Sequence, residues 1–467
     1  MSGEKFTGRN GEMQRLNGLW RSEGLVTCCI WGRRRVGKSR LLKEFSKGKR
    51  TLYMQPVHGS YYENLSTLAM DISAFRGRDI GELKDLSHLM SIVEEICSEE
   101  HTLVVIDELP YLLESAPQAA SVIQKSLDRG FGGIDCMFVI CGSSISMMRK
   151  ETENYDRPLY GRFGNRMRVG HIELEKSMDF HPEMDLPTAL KWYATVGGVP
   201  LYLQAAQGGT YESNLARMFF ESDSPWKDDA PQAILQEFKG NYNYTAAVKC
   251  IADGSVRQSE IADKLAIDRA ACKRILDDLE YVGIVEKRHP MANAPKKPVY
   301  RIVDPFIAFY YGIVSKNSKL IETSRSSAAT YGLLRSKIDS HLGHMFEIIC
   351  AKWLETHYAI IEIGSWWGKD SDGEGADIDI VAKISDENGT VRTLACECKF
   401  TKSPMGFAPL NTLVKRCESA FLTENLKLVL FSQSGFEKEL QEYAETEGIT
   451  LVDCETLMGV KTAPKIV

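Results

Sequence analysis

The sequence predicts an α/β protein with several domains, and three observations lead to that prediction. A glycine-rich loop joins a strand-like run to a helix-like run near the start of the chain. Two short helical patterns and a hairpin pattern follow in the middle, and the last third alternates helices and strands. With 467 residues the chain is also longer than the ~250–300 residues at which a single core stops growing.

Composition and charge limit the classes of protein. The chain is 43% hydrophobic and 26% charged, with a mean hydropathy of −0.23, values typical of a soluble globular protein. No stretch approaches ~18 consecutive apolar residues, and the polar start lacks the apolar centre of a signal peptide. We therefore expect a cytoplasmic protein without a membrane partner. The net charge of −6 attracts no nucleic acid overall, so any polyanion site must be a local patch.

The first element is a predicted phosphate-binding loop after the strand-like run Leu25–Trp31. The loop fits the pattern G-x-x-x-x-G-K-[ST] at Gly32, Gly37, Lys38 and Ser39. Glycines let backbone N–H groups and the positive end of the following helix point at phosphate. Lys38 would bridge the β- and γ-phosphates of ATP, and Ser39 would ligate Mg²⁺. The other loop residues expected to contact the nucleotide are Arg35, Val36 and Arg40.

Two further apolar runs end in polar residues. Within "HTLVVIDELPYLLE" the predicted strand ends at Asp107 and Glu108. Asp107 can hold magnesium directly or through water, and Glu108 can polarise the attacking water. "CMFVICGSSISMM" places Ser143 at the carboxyl end of a strand, where ligands of open α/β sheets bind. Ser143 would sense the γ-phosphate or orient the water, or it would simply cap a helix.

The front of the chain resembles the archaeal-type ATPase family, P-loop proteins of the STAND branch near the AAA+ ATPases. The matching pieces are "FTGRNGEMQRL", "WGRRRVGKSRLL", "VVIDELPYL", "CGSSISMM", "PLYGRFGNRMRV" and "YATVGGVPLYL". The resemblance implies a nucleotide-dependent switch that self-associates. It implies that Gly8 and Arg9 lie near the adenine and that Pro200 lies in a helical lid. Arg162 is the candidate charge-stabilising arginine, in cis or across a subunit contact, unless it forms a loop salt bridge.

The middle of the chain predicts a winged helix. Apolar residues keep helical spacing from Ile261 to Leu279, Gly283 ends the second helix, and a hairpin pattern follows. The second helix could enter a major groove, where the basic side chains available are Arg269, Lys273 and Arg274. Lys296 and Lys297 could add phosphate contacts from the wing. Acidic side chains next to these residues reduce the positive charge of this face, so a role in protein interaction stays open.

The last third places charges inside strands. Asp377 and Asp379 share one face of a predicted strand, and Glu397 and Lys399 share a face of the next. Glu347 on the preceding helix can join them. Carboxylates at short range repel unless a cation balances them, so we expect Asp379 and Glu397 to ligate Mg²⁺ or Mn²⁺. The metal would activate water for phosphodiester cleavage, and Lys399 would hold the phosphate or lower the pKa of the water.

This pattern resembles the PD-(D/E)xK restriction-endonuclease-like superfamily through "GHMFE", "DIDIV" and "ECK". The resemblance implies that Glu347, Asp379, Glu397 and Lys399 are catalytic. Asp377 stands where the superfamily's glutamate is expected, and the shorter side chain makes a metal contact from that position doubtful. The alternative is a salt bridge of Lys399 with Asp379 or Glu397 in a domain that has lost catalysis.

Three functions follow as hypotheses. The first is an ATP-regulated, Mg²⁺-dependent DNA endonuclease, and the second is an ATP-switched DNA-binding regulator with an inactive nuclease-like domain. The third is a nucleotide-driven chaperone or signalling platform, which would have no affinity for DNA. The predicted segments are a P-loop ATPase core (1–170), a helical lid (171–238), a winged helix (239–305), a helical linker (306–335) and a nuclease-like domain (336–467).

Overall fold

The computed structural model describes residues 6–221, 223–292, 297–324, 326–370, 373–385, 389–422 and 425–466. The chain divides into a first compact unit, Met1–Ile172 with Val199–Leu201, and a second, Glu173–Gly198 with Tyr202–Val467. The first unit contains a parallel sheet of five strands, and the second contains a separate mixed sheet of five strands. The predicted α/β fold class is confirmed.

The first unit is built around the parallel sheet. Its strands are β1 Leu25–Trp31, β2 Thr51–Met54, β3 Thr102–Asp107, β4 Cys136–Gly142 and β5 Asn165–Arg168. Its helices are α1 Asn10–Trp20, α2 Lys38–Ser46, α3 Tyr61–Arg76, α4 Leu86–Glu99, α5 Leu109–Ser115, α6 Ala119–Arg129 and α7 Ile145–Glu153. The strand order is β2-β3-β4-β1-β5. Strands β3 and β4 are buried along their whole length, which explains their continuous apolar sequences.

The second unit begins with helices. They are α8 Leu174–Ser177, α9 Leu186–Val196, α11 Tyr211–Phe219, α12 Asp229–Glu237, α13 Tyr242–Ala252, α14 Gln258–Leu265, α15 Arg269–Tyr281, α16 Pro305–Phe309, α17 Ser318–Thr323 and α18 Ser327–His357. The division between the units falls inside α10 Pro200–Leu203. Short 3-10 turns lie at Met178–Phe180 and Ser315–Asn317, and a π-helical turn lies at Tyr310–Val314. Within the described ranges, no helix is both long enough and apolar enough to span a membrane.

Helices α13 to α15 and a two-stranded hairpin form what we call the helix–hairpin segment. The hairpin pairs β6 Val285–Arg288 with β7 Val299–Ile302 in antiparallel fashion. Asp268 caps α15, because its Oδ1 accepts hydrogen bonds from the N–H groups of Ala270 and Ala271 at 2.9 and 2.8 Å. Gly283 follows the helix with a φ of 77°, so it ends α15 as expected.

The C-terminal part of the second unit is built around the mixed sheet. Its strands are β8 Ala359–Lys369, β9 Gly375–Ser385, β10 Val391–Lys399, β11 Leu426–Ser432 and β12 Thr450–Asp453, with helices α19 Phe407–Ser419, α20 Lys438–Glu447 and α21 Cys454–Leu457. The strand order is β12-β11-β10-β9-β8. Strands β8, β9 and β10 are antiparallel neighbours, whereas β10, β11 and β12 run parallel.

The chain just after β6 joins this sheet at its edge strand β8. The Ser365 N–H donates to the His289 carbonyl oxygen at 3.2 Å, and the Met291 N–H donates to the Ser365 carbonyl oxygen at 2.9 Å. The Met291 side chain is buried in the apolar core of the sheet. A Cβ at Gly364 would lie 2.3 Å from the His289 oxygen, so glycine is required for this close approach.

Candidate nucleotide site and acidic cluster

The loop between β1 and α2 has the backbone of a phosphate site. Gly37 caps α2 with a φ of 90°, a conformation that favours glycine. A Cβ at Gly32 would lie 2.2 Å from the Val169 carbonyl oxygen, so this position also has no room for a side chain. The buried Lys38 Nζ donates to the carbonyl oxygens of Gly32 and Arg33 at 2.9 and 3.1 Å. These carbonyls hold the lysine at the phosphate position.

Arg9, the residue just before α1, forms hydrogen bonds that hold this loop in place. Its Nη2 donates to the carbonyl oxygens of Val36 and Gly170, both at 2.7 Å, and its Nη1 pairs with Glu12 at 2.8 Å. Only 4% of Arg9 is exposed. Gly8 precedes it with a φ of 73°. The structure therefore gives Arg9 a role in holding the loop, and its predicted position near the adenine stays a prediction.

Asp107 is fully buried at the carboxyl end of β3. Its Oδ2 accepts a hydrogen bond from the Tyr53 hydroxyl at 2.6 Å, while no hydrogen bond reaches Oδ1 and the Cys141 thiol lies beside the carboxylate. Burial and then Asp107 raise the pKa of Tyr53 far above its usual value, so the phenol stays a donor, and the Ser39 hydroxyl is also within reach of the phenol. A carboxylate oxygen without a donor, close to a hydroxyl, fits a magnesium site.

Glu108 is strained and held by Ser143. It adopts a left-handed conformation with a φ of 68°, which is rare for a side chain of this size. Its Oε2 accepts hydrogen bonds from the Ser143 N–H at 3.0 Å and the Ser143 hydroxyl at 2.8 Å. Ser144, rather than Ser143, occupies the cap position of α7. Strain of this kind is common at functional sites.

The other residues predicted to contact the nucleotide have different surroundings. Arg35 has a left-handed backbone with a φ of 70°, and the Pro200 side chain would lie 3.7 Å from a Cβ at Gly37. Arg162 instead forms a two-point ion pair with Asp128, at 3.1 and 3.0 Å. The loop salt bridge that the sequence left open is therefore present. The roles of Arg35, Arg40 and Arg162 with nucleotide stay predictions.

The acidic cluster lies where β9 and β10 adjoin α18. Asp379 and Glu397 are 8% and 2% exposed, and the Cys398 N–H donates to Asp379 Oδ2 at 2.8 Å. Burial, followed by repulsion from Glu397 and Glu347, raises the pKa of Asp379 to about 7. Burial also raises the pKa of Glu347. The three carboxylates are therefore close enough to influence one another electrostatically, as expected.

Protein cations lie beside these carboxylates. Glu397 forms ion pairs with Lys399 and, at 3.5 Å, with Arg416 of α19. The attraction of Arg288 and then Arg301 opposes the rise in the pKa of Glu347. Four protein cations thus lie near the carboxylates, and the expected divalent ion at Asp379 and Glu397 stays a prediction. Among the described residues, no group of three or more His, Cys, Asp or Glu side chains is arranged to hold a metal.

Arg288 connects the hairpin to this cluster. Its Nη2 donates to the Asp379 carbonyl oxygen at 2.7 Å, and its Nε donates to the Ser365 hydroxyl. That hydroxyl in turn donates to the same Asp379 oxygen at 2.7 Å. Asp377, on the same face of β9, is exposed instead. Sequence reasoning missed Arg288, Arg416 and Tyr53, because only long-range packing brings them to the two sites.

The basic residues predicted to meet DNA are in part accessible. Arg269, Lys273 and Arg274 are exposed on α15, and Lys273 pairs with Asp277 at 4.0 Å. Lys297 is exposed at the hairpin, whereas Lys296 lies outside the described residues. The face is therefore open to solvent but carries acidic neighbours, as the sequence indicated.

Comparison with known proteins identifies the first domain. Residues 6–205 match the family model described as an ATPase domain predominantly from Archaea. Residues 310–410 match a model described as Archaea bacterial proteins of unknown function. The front of the chain is therefore an ATPase domain of the archaeal type, and this prediction is confirmed.

Individual relatives are distant. An uncharacterized protein of Methanocaldococcus jannaschii, MJECL04, is 24% identical over 81% of this chain and 84% of its own length. The Walker-type ATPase PABY2304 of Pyrococcus abyssi aligns with a TM-score of 0.51 and 19% identity, over 65% of this chain and 95% of its own. The ORC2 protein of Aeropyrum pernix aligns with a TM-score of 0.43 and 15% identity, over 67% and 94% of the two chains. The similarity to PABY2304 supports the fold of the ATPase part.

Proposed function

We propose that this ATPase acts on DNA and cleaves it at the acidic cluster of its C-terminal sheet. The observation that carries the proposal is the meeting of Glu347 of α18, Asp379 of β9, and Glu397 and Lys399 of β10. ATP turnover in the first unit would then serve as the switch, and the exposed basic face of α15 would engage the duplex.

The nucleotide step follows from the residues of the loop. When ATP enters, the Lys38 ammonium exchanges the carbonyls of Gly32 and Arg33 for phosphate oxygens, which are charged and bind it more strongly. Magnesium, held by Ser39 and Asp107, would neutralise charge on the phosphates. Glu108 would orient the attacking water and accept its proton. Because Ser143 occupies Glu108 Oε2, the remaining carboxylate oxygen, Oε1, is the candidate for that contact.

At the acidic cluster the side chains favour contact with a phosphodiester. Lys399 is 37% exposed and could leave Glu397 to pair with a backbone phosphate. The residues as they stand do not form a metal-binding group, so no catalytic step is derived through a metal. Whether a divalent ion is needed is decided by experiment.

The test is a nicking assay on supercoiled DNA with Mg²⁺ or Mn²⁺, with and without ATP. The wild type should nick the DNA, and Lys399→Ala should abolish nicking because it removes the ammonium group that would pair with the backbone phosphate. Lys415→Ala, at an exposed position on α19, should cut like the wild type. Absence of nicking by the wild type under every condition would overturn the cleavage proposal.

A second candidate is an ATP-switched DNA-binding protein whose C-terminal sheet does not cut. The closed pairing of Glu397 with Lys399 and Arg416 favours it, because both carboxylate oxygens already face cations. This candidate predicts DNA binding that responds to ATP, together with no nicking at any metal concentration. The same assay, run beside a DNA-binding measurement, distinguishes the two functions.

A further inference from the structure

A cavity of about 490 Å³ lies between the helix–hairpin segment and the edge of the C-terminal sheet. Its size falls within the ~300–1,000 Å³ usual for ligand sites. The lining combines aromatic, basic and acidic side chains, which include Trp366, Trp367, Arg257, Arg288, Glu260 and Asp377. Nothing in the nucleotide site or in the proposed cleavage step uses this cavity.

The walls of the cavity are fixed to each other. Backbone hydrogen bonds join His289 and Met291 to Ser365 of β8, and the Met291 side chain is buried in the sheet core. Arg288, which lines the cavity, is anchored by the Ser365 hydroxyl and the Asp379 carbonyl oxygen. The cavity is therefore formed before any ligand arrives, which lowers the entropic cost of binding.

The lining has the two chemical features that a nucleotide needs. Trp367 is half-buried and offers a flat aromatic surface on which a base can stack. The Arg257 side chain is 62% exposed, and its 4.0 Å separation from Glu260 is too long for a hydrogen bond. Its guanidinium can therefore turn to a phosphate, which it binds through two parallel hydrogen bonds.

The position of the cavity connects it with the acidic cluster. Asp377 lies on the cavity wall two residues before Asp379, and both point to one face of β9. Arg288 touches the cavity and also donates to the Asp379 carbonyl oxygen at 2.7 Å. A strand with one nucleotide in the cavity would therefore contact β9 at Asp377, two residues from Asp379.

From these observations we infer that the cavity binds one nucleotide of a single-stranded DNA segment. The base stacks on Trp367, and the phosphate pairs with Arg257 and Arg288. The inference deepens the proposed function, since it names where the strand is held next to the cluster. It concerns binding only, so it can be tested without cleavage.

The experiment measures binding of a short fluorescent oligothymidylate to the full chain by anisotropy, in EDTA and without ATP. Trp367→Ala should weaken binding about tenfold, in line with the loss of one stacked base. Trp367→Phe keeps an aromatic ring and should bind within about threefold of the wild type. Circular dichroism shows whether each variant is folded. If Trp367→Ala does not fold, Trp367→Phe still tests whether an aromatic ring at this position is enough for binding.

The phosphate contact is tested by salt dependence. Arg257→Ala should reduce the slope of log affinity against log salt by about 0.7, the value for one phosphate of a single strand. Arg335→Ala is the matched control, because Arg335 is 55% exposed on α18 and also lies 4.0 Å from a carboxylate, that of Asp339. The control should keep the slope of the wild type.

Unchanged binding by both Trp367→Ala and Arg257→Ala would overturn the inference, and so would binding of free thymidine monophosphate as tight as that of the oligonucleotide. The outcomes for cleavage are separate. A protein that never nicks DNA but shows these binding losses would keep the cavity assignment and lose the cleavage proposal. If instead the wild type nicks DNA and both Trp367→Ala and Arg257→Ala bind the oligonucleotide like the wild type, the cleavage proposal stands and the cavity assignment fails.

Discussion

At the scale of single residues, buried carboxylates define both candidate sites, but their surroundings differ. Asp107 has one oxygen that accepts no hydrogen bond, so it is prepared for a cation. Glu397 likewise has one oxygen without a hydrogen bond, Oε2, but Arg416 lies 3.5 Å from it and Lys399 pairs with Oε1. At the acidic cluster a substrate phosphate would therefore have to compete with Glu397 for the lysine.

The first prediction concerns Glu108. Glu108→Gln should still bind ATP, because the amide retains an oxygen that accepts from Ser143, but it cannot take a proton from water. Hydrolysis should fall by about 100-fold or more, the usual contribution of a general base. ATP turnover and nucleotide binding are measured side by side. Glu114→Gln, at an exposed position on α5, is the control and should turn over ATP normally.

The second prediction concerns pH. The pKa of Asp379 is about 7 in the folded protein, against ~3.9 for an unperturbed aspartate. Between those values the folded state holds a proton that the unfolded state has lost, so stability falls as pH rises from about 4 to 7. Asp379→Asn removes this loss and should stabilise the C-terminal sheet by about 2–4 kcal/mol at neutral pH.

Denaturation of the full chain at several pH values, followed through the tryptophans, checks this. The gain from Asp379→Asn should shrink toward pH 4. Asp377→Asn, at an exposed position on the same face of β9, should show no such gain. An equal gain from both variants would mean that general surface charge, rather than burial at Asp379, is responsible.

At the scale of elements, local patterns predicted most of the secondary structure. The loop after β1 and the strands β9 and β10 were predictable, because turn glycines and alternating or continuous apolar residues are local signals. The attachment of Met291 and Arg288 to β8 and β9 was not predictable, because it joins segments far apart in the sequence. For the same reason Arg288, Arg301 and Arg416 were missed around the cluster, whereas Lys399, which lies two residues from Glu397, was predicted there.

The third prediction concerns α15. If this helix lies on duplex DNA, Lys273→Ala should reduce the salt slope of duplex binding by about 0.9, equivalent to one phosphate contact. Lys438→Ala is the control, because Lys438 is likewise an exposed helical lysine paired with a carboxylate four residues later. Equal slopes for the two variants would favour a role of the helix–hairpin segment in protein interaction.

At the scale of the whole molecule, the expected self-association stays a prediction, and so does the role of Arg162 in ATP turnover. The fourth prediction uses the ion pair of Arg162 with Asp128. If Arg162 stabilises charge on the nucleotide, Arg162→Ala should lower ATP turnover at least tenfold. Asp128→Ala frees the arginine and should preserve turnover. Equal losses in the two variants would indicate that the pair only stabilises its loop.

The insertion of Met291 into the C-terminal core also affects how the protein can be divided. A fragment starting at the predicted nuclease-like domain, residue 336, would lose this methionine and leave a hole among its apolar side chains. The backbone of Ser365 would face water along an open strand, a geometry that promotes aggregation. We therefore expect soluble expression of the C-terminal domain only from a fragment that also contains the preceding helices and hairpin, from about residue 239.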